Sequence, residues 1–497
     1  MIRRQTFTYY SKNNRNKKSG KTIAAYSNYE LNKTFAKGYF GSEVSAVAAS
    51  AFDQDSSFWN SARPEPLSAK EIRFIAYKDS VFRATHTKAY LDSLDRKINK
   101  LTWRNVLLMG QNLNNHEKGT SWYFPALPSL YQPFSFGGSR ISVSLYYSKI
   151  YKSRKTLSIR PSLSYGLRNH DVNGEITIGR MYNPFNRGYY SISAGRRFEY
   201  IFEGDAWINM LKRNNVYLNN SIGVNHGLEL VNGLRLETGF EIAIRRSVSN
   251  YKTNSQVDSL FGSVLDDNRA VSFPGYNALY ADSRLAYTPF QRYIREPREK
   301  IILGSSWPTF YVQLKKGIPS LMKSTIDFDY LEFGLNQDIK LGLAGISTYT
   351  LKTGDYLNRR DLRLVDYHFQ RRGDPLLFMN PEQAFQSLDS TFPVFQRYYQ
   401  GHFIHHFNGF IVNKIPLFKK LRLREIAGAG FLIAPERNLR YMEVFAGVER
   451  PFNWPFDPQV KFKVGVYVVS SLANQFRNPV QFKIGITSWD RRRNRWF

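Results

Sequence analysis

The sequence predicts an all-β fold: a transmembrane antiparallel β-barrel of about 16 strands, preceded by a small α/β periplasmic segment. Three observations predict it. Long segments alternate between apolar and polar residues, their polar faces carry full charges, and short turns alternate with long polar connections. A water-filled or polar lumen accepts such charges, whereas a packed sandwich core does not bury them unpaired.

Composition agrees with a barrel. The 497 residues are 42% hydrophobic and 15% aromatic, yet the mean hydropathy is −0.44. The longest nearly continuous apolar run, residues 426–435, is about half the ~20 residues that a membrane-spanning helix needs. In a barrel only alternate residues face lipid, so mean hydropathy stays low. The chain has no cysteine, which excludes disulfides, zinc–thiolate sites and thiol nucleophiles.

Residues 1–133 are predicted to form the periplasmic segment. Residues 6–11 and 22–31 flank a basic turn and indicate a hairpin. Ser68 and Glu71 have the spacing of a capping box, so a helix should begin at Ala69. A second helix is expected over residues 88–101, followed by a loop over residues 111–133. The first residues lack an apolar secretion segment, so we expect a mature or truncated form of an exported protein.

Residues 134–497 are predicted to form the barrel. In residues 234–245, Leu234, Phe240 and Ile244 lie on one face of the strand, and Glu241 and Arg245 lie on the other. Residues 156–168 and 460–468 repeat this pattern at a length typical of membrane-spanning strands. The alternation slips within residues 326–335, which predicts a β-bulge.

Two of the predicted connections are long, over residues 247–276 and 359–393, whereas Asn232-Gly233 is a tight turn. A short helix in a loop or plug is expected over residues 205–213. In the longer connection Arg371, Arg372 and Asp374 surround a Gly-Asp-Pro sequence. These three residues are candidates for a gate or plug that pairs with lumen acids. The alternative is an exposed turn, since Gly and Asp-Pro are common turn residues.

The net charge of +30 predicts anionic partners. The cations are spread along the chain rather than clustered, so we expect no nucleic-acid partner. The expected partners are outer-membrane lipids and lipopolysaccharide, the barrel assembly machinery, and periplasmic or surface proteins.

Two groups of residues are candidate sites. His402 and His406 share a strand face and are weak candidates for metal ligands; the favoured interpretation is a polar lumen lined with His and Asn. Trp489, Trp496 and Phe497 suit an aromatic girdle at the membrane interface or a barrel-end signal. We expect no cofactor, no metal site and no catalytic residues; no Gly-x-Ser-x-Gly motif indicates a hydrolase.

Several segments resemble an uncharacterised family of Bacteroidota outer-membrane proteins, whose members usually carry a carboxypeptidase-regulatory-like domain before a C-terminal barrel. We expect the given sequence to lack that domain. The segments that carry the resemblance are residues 57–59, 63–64, 79–80, 90–96, 303–310, 401–407 and 413–420. The resemblance implies an outer-membrane barrel without peptidase activity. The predicted function is therefore a pore, a transporter or an outer-membrane assembly factor. A plugged structural or interaction barrel and an outer-membrane hydrolase are the alternatives.

Overall fold

The computed structural model describes residues 3–10, 19–27, 29–36, 39–52, 54–201, 213–252, 257, 259–260, 262, 269–453 and 461–488. The predicted helix over residues 205–213 falls almost wholly outside them. No helix within these ranges is long and apolar enough to cross a membrane.

The N-terminal segment contains the predicted hairpin and helices. Its elements are β1 (Arg4–Tyr10), β2 (Ser19–Ala25), β3 (Glu43–Ala46), α1 (Ser56–Ala62), α2 (Ala69–Thr85) and α3 (Lys88–Ile98). β1 and β2 pair antiparallel. The capping box predicted at Ser68 and Glu71 is present, and α2 begins at Ala69 as expected. Satisfying the first backbone N–H groups in this way fixes where the helix starts.

The rest of the chain closes into an antiparallel barrel, which confirms the predicted fold class. Its strands are β4 (Gln111–Asn115), β5 (Thr120–Phe124), β6 (Tyr131–Gln132), β7 (Arg140–Ser144), β8 (Tyr146–Ile150), β9 (Thr156–Gly166), β10 (Val172–Asn183), β11 (Gly188–Tyr200), β12 (Val216–Val231), β13 (Leu234–Ser247), β14 (Tyr276–Tyr287), β17 (Thr309–Gly317), β18 (Asp327–Lys340), β19 (Ile346–Asp361), β22 (Tyr398–His406), β23 (Arg424–Ala434), β24 (Leu439–Asn453), β25 (Lys461–Ala473) and β26 (Gln481–Ser488).

Four described strands that follow the start of the barrel in sequence are not part of its wall. β15 (Arg292–Arg295) and β16 (Lys300–Gly304) form a small sheet with β3. This sheet joins the N-terminal segment to the connection between β14 and β17, because β3 pairs parallel with β15. β20 (His368–Gln370) and β21 (Phe392–Val394) pair with each other.

The described part of the barrel has 19 strand segments, whereas the sequence predicts about 16 strands. β7 and β8 lie on either side of Leu145 and both pair with β9, so a single predicted strand is divided in two. β4, β5 and β6 lie within residues 111–132, which were predicted as a loop, and the barrel therefore includes residues before the predicted boundary at 134. These segments are only two to five residues long, too short for alternation to reveal them.

The faces of the wall follow the predicted alternation. On β13, Phe240 and Ile244 are exposed on the outer surface, while Ala243 and Arg245 are buried on the inner face. The register of β18 against β19 shifts between Asp327 and Tyr330, but the extra residues lie on β19, so the bulge predicted within residues 326–335 is on the neighbouring strand instead. The exterior is therefore a broad apolar surface around a polar interior.

The connections between strands differ in length at the two barrel ends. The end where β13 continues to β14 and β19 to β22, called the long-loop end below, carries the two longest predicted excursions. At the opposite end, β12 turns into β13 through Asn232 and Gly233, whose φ of 83° suits glycine. The 36 residues between β19 and β22 do not project outward: they fold into the barrel.

Candidate functional site: the loop folded into the barrel

Residues 362–397, called the inner loop below, leave β19 at the long-loop end and return to β22. The β20–β21 hairpin closes the base of the loop. Many of its side chains are almost fully buried, including Met379, Phe385 and Leu388. Phe385 and Leu388 pack into one apolar cluster with wall residues such as Leu432 and Tyr441. Removing this apolar surface from water stabilises the docked position of the loop.

The first polar anchor of the inner loop is Asp366. Its carboxylate is 3.0 Å from the Arg245 guanidinium on β13 and 3.3 Å from the Lys315 ammonium on β17. The Tyr280 hydroxyl on β14 donates to the same carboxylate at 3.0 Å, and the Tyr356 hydroxyl donates to the Asp366 carbonyl at 2.6 Å. The Asp366 side chain is fully buried. A buried carboxylate needs such compensation, so this anchor is strong only when all partners are in place.

The second anchor lies across the barrel on β24. The Glu443 carboxylate accepts the backbone N–H groups of Gln386 and Ser387, both at 3.0 Å, and the Tyr441 hydroxyl at 2.7 Å. Ser471 on β25 donates to the Ser387 hydroxyl at 3.2 Å. The wall therefore supplies the hydrogen-bond partners that buried loop backbone requires.

The third anchor involves β26, the last strand. The Ile484 N–H donates to the Leu376 carbonyl at 3.0 Å, and the Ile484 carbonyl accepts the Phe378 N–H at 2.9 Å. The Phe378 ring stacks on Tyr467, with ring centroids 3.7 Å apart and planes within 5°. Lys483 donates to the Asp374 carbonyl. The inner loop thus adds a short strand-like segment beside β26.

A fourth contact surrounds His368 of the β20–β21 hairpin. Its ring stacks on Tyr398 at 4.5 Å and on Tyr330 at 5.4 Å. Both tyrosines donate to the Glu332 carboxylate on β18, at 2.9 and 2.8 Å. Burial lowers the pKa of His368 to about 3, and the nearby Lys352 ammonium acts in the same direction. His368 is therefore neutral at physiological pH and packs as an aromatic ring.

Together these contacts reach inward-facing residues from β13 round to β26, with anchors on β13, β17, β24 and β26. A cavity of about 920 Å³ remains between the tip of the loop and the wall, and Glu382, Gln383 and Arg284 are among its lining residues. On the side of β11 and β12, wall residues pair with one another instead: Asn219 donates to Glu199 at 2.8 Å and to Glu241 at 3.0 Å.

The three predicted gate residues all lie on the inner loop. Asp374 is buried, and its backbone N–H points at the Met379 sulfur at 3.1 Å. Arg372 is exposed, and its N–H donates to the Thr391 hydroxyl at 3.0 Å. The Arg371 carbonyl accepts the Phe385 N–H at 3.0 Å. The structure places them in a folded-in loop, and their role as a gate remains a prediction.

The histidines occupy different environments. His402 is buried on the inner face, 2.7 Å from the Gln400 amide nitrogen and against the Phe385 ring. His406 is half-buried at the end of β22. Within the described part of the chain, no three His, Asp or Glu side chains converge as metal ligands would.

One Ser–His pair is present at the barrel end opposite the long loops. The Ser347 hydroxyl is 2.7 Å from His405 Nδ1, and His405 Nε2 is 2.9 Å from the Ala344 carbonyl. A catalytic triad usually orients its histidine with a carboxylate, and here a backbone carbonyl takes that place. Trp489, Trp496 and Phe497 lie outside the described residues.

Sequence reasoning identified the loop but missed the residues that hold it. Alternation places Arg245 and Glu443 on the inner face, yet nothing in the sequence distinguishes them from other lumen charges. Asp366 carries no local signal, because its partners Arg245 and Tyr280 are 121 and 86 residues away in sequence.

Residues 105–448 match the C-terminal domain of a family of unknown function (DUF5686). The chain belongs to this family. No curated protein matches. The matched region contains the inner loop and most of the wall, including Asp366 and Glu443.

Solved outer-membrane barrels are also similar to this chain. Wzi of Escherichia coli, an outer-membrane protein involved in group 1 capsule assembly and described as a carbohydrate-binding β-barrel, is 9% identical; the match covers 74% of this chain and 77% of Wzi, with a TM-score of 0.32. BamA of Haemophilus ducreyi lacking POTRA domains 1–3 is 10% identical over 98% of this chain and 89% of that one, with a TM-score of 0.39. OccK10 of Pseudomonas aeruginosa is 9% identical over 70% and 91%, with a TM-score of 0.30. Likenesses of this size do not support an inference about function.

Proposed function

We propose that the chain spans the outer membrane as a non-enzymatic barrel, that its own inner loop closes the lumen at rest, and that displacement of the loop opens a passage. The observation that carries the proposal is the multiple anchoring of the inner loop to inward-facing residues of the wall. An open diffusion pore leaves its lumen to water, whereas here the inner loop places the buried apolar side chains of Phe385, Leu388 and Met379 inside it.

The membrane location rests on the outer surface of the wall. Exposed apolar side chains alternate with buried inward ones along strands of 8–16 residues. On the last three strands the exposed residues are Met442, Val444, Val448, Val466, Val468, Leu472, Phe482, Ile484 and Ile486. A continuous apolar band of this extent is stable in lipid and would associate or aggregate in water. Heat-modifiable migration after detergent extraction tests this: identical migration of boiled and unboiled samples contradicts the barrel.

The gating part of the proposal can be tested by locking the loop. The hydroxyl oxygens of Ser387 on the loop and Ser471 on the wall are 3.2 Å apart, so cysteines at both positions are close enough for a disulfide. The chain has no other cysteine, so no competing disulfide can form. In planar bilayers, and with the loop anchors weakened, S387C/S471C should conduct only after reduction.

The matched control is T288C/T309C. Its hydroxyl oxygens are 2.8 Å apart at the opposite end, and neither residue belongs to the inner loop. Its current should be the same oxidised and reduced. If the reduced S387C/S471C protein and the wild type never conduct, even when the loop anchors are weakened, the barrel is permanently plugged and serves as a structural or interaction protein instead.

No reaction is included in the proposal. The Ser347–His405 pair is the arrangement in the described residues that comes nearest to a hydrolase site, and its histidine is oriented by the Ala344 carbonyl alone. Inertness of the purified protein toward phospholipid and ester substrates would support this part.

A further inference from the structure

A pocket rich in positive charge lies at the barrel end opposite the long-loop end. It lies between the β22–β23 connection and the ends of β24 and β25, and its volume is about 770 Å³. Called the basic pocket below, it is lined by Asn408, Asn413, Lys419, Lys420, Arg422, Arg424, Arg450, Pro451, Phe452, Asn453 and Lys461. Six of these eleven residues are Lys or Arg and none is acidic.

The acids described beside the basic pocket have other partners. Glu425 accepts the N–H groups of Gly409 and Val412. Glu449 accepts the Lys463 ammonium at 2.6 Å and the Tyr467 hydroxyl at 2.8 Å. Among the residues that the structure describes, none of the six pocket cations forms an ion pair. Like charges gathered without counter-ions repel, so an anion bound between them is stabilised.

The frame of the pocket is held in place. The Glu425 carboxylate ties the β22–β23 connection to the wall through two backbone N–H groups. Asn408 and Arg422 adopt φ angles of 55° and 52°, in the left-handed region that Asn occupies readily and Arg seldom does. Phe452 stacks on Phe462 with ring centroids 5.3 Å apart. Such positioning lets several cations converge on one ligand.

We propose that the basic pocket binds a phosphate-bearing anion. Guanidinium groups bind phosphate oxygens in pairs and ammonium groups add point charges, a combination suited to a phosphate ester or a pyrophosphate. The pocket volume falls within the range of small-ligand sites. Binding here does not depend on movement of the inner loop, so a failure of gating leaves it intact.

Two sources can supply this chemistry. The exposed apolar residue Val448 lies only two positions from Arg450, so the apolar band ends where the pocket begins. If the barrel spans a membrane, as proposed, the pocket therefore lies at the level of lipid headgroups. A lipid phosphate and a soluble phosphate compound are distinguished by separate probes.

The experiment uses the full chain in nanodiscs of phosphatidylcholine. Inorganic pyrophosphate is titrated by calorimetry, and, in a second arm, retention of phosphatidylglycerol from mixed micelles is measured by mass spectrometry. At least one probe should bind, with an affinity that falls as NaCl concentration rises. K420Q/R422Q should weaken that binding about tenfold or more, because two charged contacts are lost.

A second variant and a control keep the test decisive. R450Q/K461Q changes the other wall of the pocket and should give the same loss, even if K420Q/R422Q folds poorly. K152Q/K155Q removes two exposed cations from the β8–β9 turn at the same barrel end and should bind normally. Binding of phosphatidylglycerol alone identifies a lipid headgroup as the source, and binding of pyrophosphate alone identifies a soluble one. Failure of both probes with wild type, or an equal loss in K152Q/K155Q, overturns the proposal.

Discussion

Replacing Asp366 by Asn should release the inner loop. The substitution preserves shape but leaves the Arg245 guanidinium, 3.0 Å away and almost fully buried, without its counter-ion. Removing one partner of a buried ion pair costs about 3–5 kcal/mol. Lys315 is about one-third exposed, so water replaces part of its contribution. At about 1.4 kcal/mol per tenfold, the lower figure shifts the equilibrium between docked and released loop about 100-fold.

The assay is thiol labelling of S387C. Ser387 is 1% exposed in the docked loop, so a maleimide reaches a cysteine there only after release. Because the chain has no cysteine of its own, the signal comes from this position alone. The D366N substitution should raise the labelling rate about 100-fold while heat-modifiable migration is retained.

The control for this prediction is D355N. Asp355 pairs with Arg397 at 3.5 Å, at the C-terminal end of the same loop, but both side chains are substantially exposed. Exposed pairs contribute about 0–1 kcal/mol, so labelling should rise about fivefold at most. A rise of less than about threefold in D366N, or equal rises in both variants, would refute the reasoning that a buried charge cluster holds the loop.

Three further outcomes follow from the contacts. F378A removes the ring stacked on Tyr467 and should destabilise the docked loop by about 3–5 kcal/mol, seen as faster S387C labelling; an unchanged rate would show that the segment beside β26 contributes little. E199Q removes one of the two acidic partners of Arg197 in the β11–β12 network, which should lower the thermal unfolding temperature but change S387C labelling by less than about twofold. S68A removes the cap of α2 and should cost about 0.5–2 kcal/mol, measured as faster amide exchange in that helix; protection equal to wild type would contradict the cap's role.

A structural feature can be predicted from this sequence when the residues that determine it are close together in the chain. The start of α2 depends on Ser68 and Glu71, three residues apart, and was predicted to the residue. The wall faces depend on a period of two, whereas the register shift opposite Asp329 arises on β19, outside the residues 326–335 where a bulge was predicted. Short segments such as β6, of two residues, carry too little pattern to be recognised.

The contacts of the candidate site cannot be predicted in this way, because they are not encoded by residues that are close in sequence. The sequence indicates a long polar connection. Whether that connection folds into the barrel depends on pairings between residues far apart in the chain. The Glu443 carboxylate meets the Gln386 N–H across 57 residues, and Lys483 meets the Asp374 carbonyl across 109. A charged residue on an inner face is equally compatible with water, another wall residue or a loop, so its partner is decided by tertiary folding.

The inward charges on the two sides of the lumen have different partners. This difference indicates on which side of the barrel the proposed passage would open. Between β13 and β26 the inner loop satisfies some of the inward charges, Arg245 and Glu443 among them. Around β11 and β12 they are satisfied by the wall itself, as Asn219 and Glu199 show. Releasing the loop therefore exposes unpaired groups only on the first side, while the second retains its hydrogen bonds. A passage opened by loop release would run along β13 to β26, lined by Arg245 and the other groups that now hold the loop.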